Sequence, residues 1–371
     1  MGQVLTDRKT SGFHPAVKWW LLAGLLMVVG QIVIGGITRL TESGLSITEW
    51  KPLSGAMPPL NAADWQVEFE KYRDSPQFEK IFADISMADF KFIYFWEWFH
   101  RQWARIMGLV FVVGFAVFSY RGWLGRALTR RLGVVVALAA LAASFGWIMV
   151  ASGLHERPWV NAYKLAIHLS LGITLFSYLL WITLKVHYPG GPGFPPITVN
   201  KWRWGFNIVL GIQLILGGIM SGARAALPYP TWPDMNGEFF PTVLTQSEQW
   251  TVENLVQYEA SLFQPALTQF LHRMTAYTLF FLGLYLVYRV IRSAPAGVFH
   301  RAAYLLISLL IIQVMLGVAT VVSSKGEVPV GLGVAHQFGA IALVAATVWF
   351  NYLFNRGIPL SPVGNLVDKG V

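Results

Sequence analysis

The chain contains no cysteine. That excludes disulfides, iron–sulfur ligation, thiolate zinc sites and thioether-attached heme. Charge is also scarce: 13% of the 371 residues are Asp, Glu, Lys or Arg, while 55% are hydrophobic. Soluble domains carry about 25% charged residues, so the composition predicts an integral membrane protein rather than two or three soluble domains. The first fifteen residues are polar, and the first apolar run is too long for a signal-peptide core, so it reads as a retained span. Acidic residues number 19 against 28 basic, a net charge of +9. In a soluble chain that excess would suggest nucleic acid. Here the basic residues are segregated along the sequence, which predicts membrane orientation and no nucleic-acid partner.

What the chain has in quantity is long apolar sequence. Crossing roughly 30 Å of hydrocarbon takes about 20 residues. Suitable stretches lie near 17–37, 97–120, 131–151, 162–186, 203–222, 267–291, 301–322 and 332–354. The predicted class is an all-α integral membrane protein with eight transmembrane helices in the lipid bilayer. Arg8, Lys9 and Lys18, then Arg121, Arg126, Arg130 and Arg131, then Lys185, Lys201 and Arg203, then Arg289, Arg292 and Arg301 mark one set of connections as basic. The other set is acidic, with ten carboxylates from Glu42 to Glu97 and five from Asp234 to Glu259. By the positive-inside rule both termini are cytoplasmic, and the long loops 38–96 and 223–266 lie outside.

The halves read as a tandem repeat. Gln31-Ile-Val-Ile-Gly35-Gly36-Ile matches Gln213-Leu-Ile-Leu-Gly217-Gly218-Ile, Phe99-His100-Arg101 matches Leu271-His272-Arg273, and His168 matches His336. Four helices per half is an even number, so the repeats run parallel rather than inverted. The expected organisation is a tail (1–16), two pseudo-symmetric four-helix bundles (17–190 and 191–355) and a second tail (356–371). The Gly-Gly pairs read as close helix contacts.

Of eight histidines, His14, His187 and His300 fall in the tail or on the cytoplasmic side, and His155 sits in a short outer loop. His100, His168, His272 and His336 each fall within the first two turns predicted for an even-numbered helix, all of which start outside. Their imidazoles are expected at similar depth in the outer leaflet. A core histidine satisfied by a neighbour accounts well for one such residue and poorly for four, and ionisable groups inside spans usually mark function. Paired imidazoles from facing helices are a standard way to hold heme iron. Zinc or copper asks for further ligands at the same level, and no third residue repeats. The residues therefore predict two heme sites, one per half.

The repeat differs at one informative position. Three residues before the histidine stands Glu97 in the first half and Gln269 in the second. Positions i and i+3 share a helix face, so Glu97 and His100 look at the same space. Glutamine orients a ligand but is neither base nor nucleophile, which predicts a reactive first site and a structural or electron-transfer second one. Alternatively Glu97 forms an i,i+4 ion pair with Arg101. Arg101 and Arg273 suit heme propionates, since arginine recognises carboxylates bidentately; as interfacial anchors they need no ligand. Arg39, Arg105 and Arg224 are weaker candidates for the same role.

Gly35-Gly36-Ile-Thr38-Arg39-Leu-Thr41-Glu-Ser43-Gly44-Leu-Ser46, followed by Trp50-Lys-Pro52-Leu-Ser-Gly55 and Pro58-Pro59-Leu60, resembles the first outer loop of heme A synthases. Glu97…His100-Arg101, His168, His272-Arg273 and His336-Gln337 fall where that family has its heme residues. The resemblance covers nearly the whole chain, and the absence of cysteine is similar to the proteobacterial and mitochondrial branch. It implies oxidation of the C8 methyl of heme O to a formyl group, giving heme A for terminal oxidases. Substrate heme is then expected between His100 and His168 with Glu97 near the methyl, and a permanent heme b between His272 and His336. It also implies a bacterial inner-membrane location, heme O synthase and oxidase assembly factors as candidate partners, and a homo-oligomer as a candidate assembly. Glu97 has three open roles: stabilising a cation, forming a transient ester or accepting a proton. Two readings compete, a diheme b-type carrier exchanging electrons with quinone and a transporter. Against the second count the paired histidines at one depth.

Overall fold

The structure, a computed structural model, describes residues 12–49, 54–154, 157–189, 197–294 and 296–354. His155, the segment around Trp50 and Pro52, and the greater part of both tails lie outside them. In chain order the helices are α1 (Pro15–Leu40), α2 (Ala62–Arg73), α3 (Pro76–Lys80), α4 (Met87–Tyr120), α5 (Gly125–Gly153) and α6 (Ala162–His187). There follow α7 (Ile197–Gly222), α8 (Val252–Val256), α9 (Phe263–Ser293), α10 (Val298–Ser323) and α11 (Val330–Leu353). Eight of them, all but α2, α3 and α8, are long and apolar enough to cross a membrane. The chain is a multi-pass membrane protein.

Several helices start earlier than their apolar runs. α4 begins at Met87 instead of 97, α5 at Gly125 instead of 131 and α9 at Phe263 instead of 267. His100 therefore sits thirteen residues into α4 and His272 nine into α9. The expectation of a place within two turns of the helix start holds for His168 and His336 and fails for these two. The reason is local. Ser86 caps α4 by accepting from Asp89 N, and the first turns need no lipid because Phe90, Ile93 and Tyr94 pack under Trp65, Phe69 and Tyr72 of α2. Phe263 and Ala266 of α9 likewise pack under Tyr229, Met235 and Leu244. The two long connections thus form aromatic caps over one end of the bundle, here termed the loop end.

One apolar core runs through the bundle, from Val17 and Leu21 of α1 to Phe350 and Leu353 of α11. α1 packs on α4, α6 and α11, while α6 packs on α5, α7 and α11. The other strong neighbours are α7 with α9, α9 with α10 and α10 with α11. α4 and α5 scarcely touch. The Gly-Gly pairs do more than permit close contact. A Cβ at Gly36 would fall 2.2 Å from Gln337 Oε1 of α11, and one at Gly218 2.9 Å from Ala166 Cα of α6. Gly35 and Gly217, one residue earlier, face His100 and His272. Each pair therefore backs a histidine with its first glycine and seats a helix of the other half on its second.

Candidate heme sites

All four histidines line one continuous, largely apolar cavity of about 1890 Å³. That is roughly twice the upper end of pockets built for one drug-sized ligand, about 1,000 Å³. His100 and His168 of the first half and His272 and His336 of the second all lie on the cavity wall.

Each imidazole lies against a glycine of a neighbouring span. Built onto the glycines, a Cβ would come 3.1 Å from His100 Nε2 at Gly35 and 2.9 Å from His168 Cε1 at Gly146. The corresponding approaches are 3.3 Å to His272 Cε1 at Gly217 and 2.9 Å to His336 Cε1 at Gly317. A side chain at any of these positions would push the ring toward the cavity. Four residues before three of the glycines stands a glutamine: Gln31, Gln213 and Gln313. Gln31 Nε2 donates to the His100 carbonyl (3.3 Å) and Gln213 Nε2 lies 3.1 Å from His272 Nε2. Gln313 Nε2 donates to the His336 carbonyl (3.0 Å) and lies 3.1 Å from His336 Nδ1. The fourth position is Ala142, whose carbonyl accepts from His168 Nδ1 at 2.8 Å, leaving Nε2 its lone pair. Sequence comparison paired Gln31 with Gln213 but gave them no role, and it missed Gln313. The readable signal was Gln-x-x-x-Gly, which puts both residues on one helix face.

The donor set fits iron porphyrin. It offers two imidazoles per site in an apolar cavity, and among the described residues no group of three or more His, Cys, Asp or Glu could hold a bare metal ion. His272 Nδ1 is buried without a partner, as are Nε of Arg39, Arg224 and Arg273. Orphaned guanidinium donors of this kind are costly and suit a ligand carrying carboxylates, whereas an unpartnered imidazole nitrogen suits iron.

Glu97 is buried, 2% exposed, and both of its oxygens are occupied. Oε1 lies 2.5 Å from Arg101 Nη2, so the i,i+4 ion pair is present. Oε2 accepts from Ser46 Oγ and Ile47 N, each at 2.8 Å, and Arg101 also donates to the Ile47 carbonyl. Glu97 and Arg101 together fasten the first long connection over the cavity they line. Gln269 and Arg273 fasten the second one. Gln269 Nε2 donates to the Tyr229 carbonyl, and Arg273 donates to those of Thr231 (2.7 Å) and Asp234 (2.6 Å). Arg39, Arg105 and Arg273 line the cavity with Arg101; Gln269, fully buried, sits behind it.

Sequence reasoning also missed Glu42. It pairs with Arg39 Nη1 at 2.9 Å and lies 2.7 Å from Arg224 Nη2, the latter close in distance but off the hydrogen-bond line. Arg39 belongs to α1 and Arg224 follows α7, so one carboxylate ties the halves together at the loop end. Glu42 and Arg224 both hold left-handed backbone, φ 56° and 51°. For such residues that conformation is uncommon and costs energy. Glu42→Gln keeps the shape and removes the charge between two arginines. The expected result is a loss of about 1–3 kcal/mol, between an exposed and a buried pair, read as earlier thermal unfolding in detergent with heme content unchanged.

Comparison with known proteins gives the family. The profile of a family described as cytochrome oxidase assembly protein matches residues 18–348. A heme A synthase of Bradyrhizobium sp. (strain BTAi1) is 40% identical over 90% of this chain and 90% of its own length. One of Cereibacter sphaeroides is 39% identical over 98% and 93%, and one of Brucella ovis 38% identical over 90% and 90%. With a family match through six whole spans and most of the first and the last, and relatives of this similarity, the chain belongs to the heme A synthase family of cytochrome oxidase assembly proteins.

Proposed function

We propose that this protein is a heme A synthase, oxidising the C8 methyl of heme O to a formyl group. The observation that carries the reading is the shared cavity in which two histidine pairs stand, each ring backed by a glycine, while the carboxylate differs between the sites. His100 and His168 would hold the substrate heme beside Glu97; His272 and His336 would hold a heme b. A heme b bound there supplies a reversible electron acceptor for electrons leaving the methyl group. The two matching sets of spans, 17–190 and 191–355, then divide substrate binding from electron acceptance.

The residues around the first site do three things in this reading. Gly35 and Gly146 set the ring positions, and Ala142 fixes the His168 tautomer. The cap pinned by Glu97 and Arg101 keeps bulk water from that end of the cavity. Glu97 contributes a fixed negative charge at its edge. A carboxylate that already accepts from Arg101, Ser46 and Ile47 is a poor nucleophile and a poor base, so its geometry favours electrostatic stabilisation over an ester or proton transfer. Arg39, Arg105 and Arg224 at the loop end would meet the propionates. The charge pattern of the connections supports a bacterial inner-membrane placement with both termini cytoplasmic and the heme sites toward the periplasm. Heme O synthase and oxidase assembly factors would be partners, and a homo-oligomer a possible assembly.

Pigment extraction tests the reading. Protein purified from heme-replete cells is expected to yield heme B together with heme O or heme A. Heme B alone, at two per chain, would favour the diheme electron carrier, and a heme-free preparation would remove both.

A further inference from the structure

The two histidine pairs look alike at the rings but not below them. Counting from the equivalent histidines, Gly108 of α4 stands eight residues after His100, where α9 has Phe280. Counting from the equivalent glycines, Ala139 and Ala143 of α5 stand seven and three residues before Gly146, where α10 has Leu310 and Val314. At each of these positions the first half has the smaller side chain, and all three small residues line the cavity. So does Gly172 of α6, four residues after His168. A Cβ placed at Gly108 or at Gly172 would meet nothing within 4 Å, so the space beside them is open.

The helices respond to this difference. In the second half Leu310, 2% exposed, is the knob that closes α10 onto α9: a Cβ at Gly283 of α9 would lie 2.7 Å from its Cδ2. In the first half the knob is Ala139, and the place of Gly283, eleven residues after the histidine, is taken by Phe111, which packs toward Trp20 of α1. α9 and α10 consequently pack together, whereas α4 and α5 scarcely touch. Gly108, Ala139 and Ala143 thus line a slot that continues the cavity from the His100–His168 site about 12 Å farther along α4 (eight residues at about 1.5 Å each), on the side where α4 and α5 scarcely touch.

We propose that this slot takes the isoprenoid chain of the substrate heme, with Gly108, Ala139 and Ala143 as the residues that select a tailed heme for the first site. The inference rests on the heme A synthase reading. Heme O differs from heme b by a long apolar isoprenoid chain, which needs an apolar channel leading away from the ring. The first site has one; at the second, Phe280, Leu310 and Val314 line the cavity with larger side chains that narrow the corresponding space. A slot between two membrane spans also lets the chain slide in sideways from the bilayer without crossing water. The same comparison explains why one protein can keep two hemes of different kind apart although both rest on paired histidines.

The test transplants the second half's side chains. Gly108→Phe with Ala139→Leu is made in the full chain, and bound hemes are extracted and quantified beside those of the unsubstituted protein. The expected outcome is at least a tenfold loss of heme O plus heme A with heme B at the His272–His336 site retained; purified variant titrated with heme B is expected to fill the first site with the tail-less heme. Undiminished heme O and A in the double variant would overturn the slot while leaving the synthase reading intact. Unsubstituted protein without heme O or A would overturn that reading itself. Should the double variant lose heme B as well, Ala143→Val, the smallest of the exchanges, is scored by the same extraction: selective loss of tailed heme supports the slot and no loss overturns it.

Discussion

Glu97→Gln is expected to abolish heme A formation while the protein keeps both hemes. The geometry separates the charge of Glu97 from its other duty. A glutamine amide oxygen can still accept from Ile47 N and Ser46 Oγ, now held by Glu97 Oε2 at 2.8 Å each. The second half fastens its connection with a glutamine, though through the opposite end of the amide: Gln269 Nε2 donates to the Tyr229 carbonyl. What the substitution removes is the negative charge facing the cavity beside His100, together with the ion pair to Arg101. Removing one group that stabilises developing charge typically costs about 10²–10³ in rate, so heme A should fall at least 100-fold. The checks are the extracted heme ratio for activity and the reduced-minus-oxidised spectrum for occupancy. Heme A at the unsubstituted level would leave Glu97 as a loop fastener only. Loss of the spectra would instead show that the charge is needed to build the site.

Much of this architecture is legible in the residues. The eight spans follow from apolar run length, and the histidine pairs from their place in matching segments. The helix starts are not legible in that way. Met87 to Trp96 carries Asp89 and Lys91, and nothing in hydropathy says that these turns have Tyr72 and Trp65 to pack against. Contacts across long separations are equally invisible: Glu42 meets Arg224, and Gln337 reaches Ile32 with a 2.8 Å hydrogen bond. The ambiguity at Glu97 shows a third limit. Spacing permitted both a cavity-facing carboxylate and an ion pair with Arg101, and in the folded chain both hold at once. The glycines illustrate the converse. Gly146 and Gly317 were visible in the sequence, but their purpose appears only when a histidine of the next span is seen against them.

Those glycines give the second large effect. Gly317→Ala is expected to cost the second site its heme, and Gly217→Ala to leave it nearly filled. A Cβ at Gly317 would sit 2.9 Å from His336 Cε1, closer than real Cβ contacts come, whereas at Gly217 the approach to His272 Cε1 is 3.3 Å. The His336 ring has little room to yield, because Gln313 Nε2 holds both its carbonyl and Nδ1. Overpacking of a filled interior costs about 1–3 kcal/mol, and each 1.4 kcal/mol is tenfold in affinity, which places the loss of heme affinity at roughly 5- to 150-fold. The same reasoning assigns Gly146→Ala (2.9 Å from His168 Cε1) to the first site, and Gly35→Ala (3.1 Å from His100 Nε2) to a smaller loss there. Heme stoichiometry by extraction ranks the four variants. Loss at one site should leave the other filled, because each glycine faces only its own histidine. An order that ignores the distances, or a joint loss of both hemes from any single alanine, would mean that the rings are placed by something other than these close contacts.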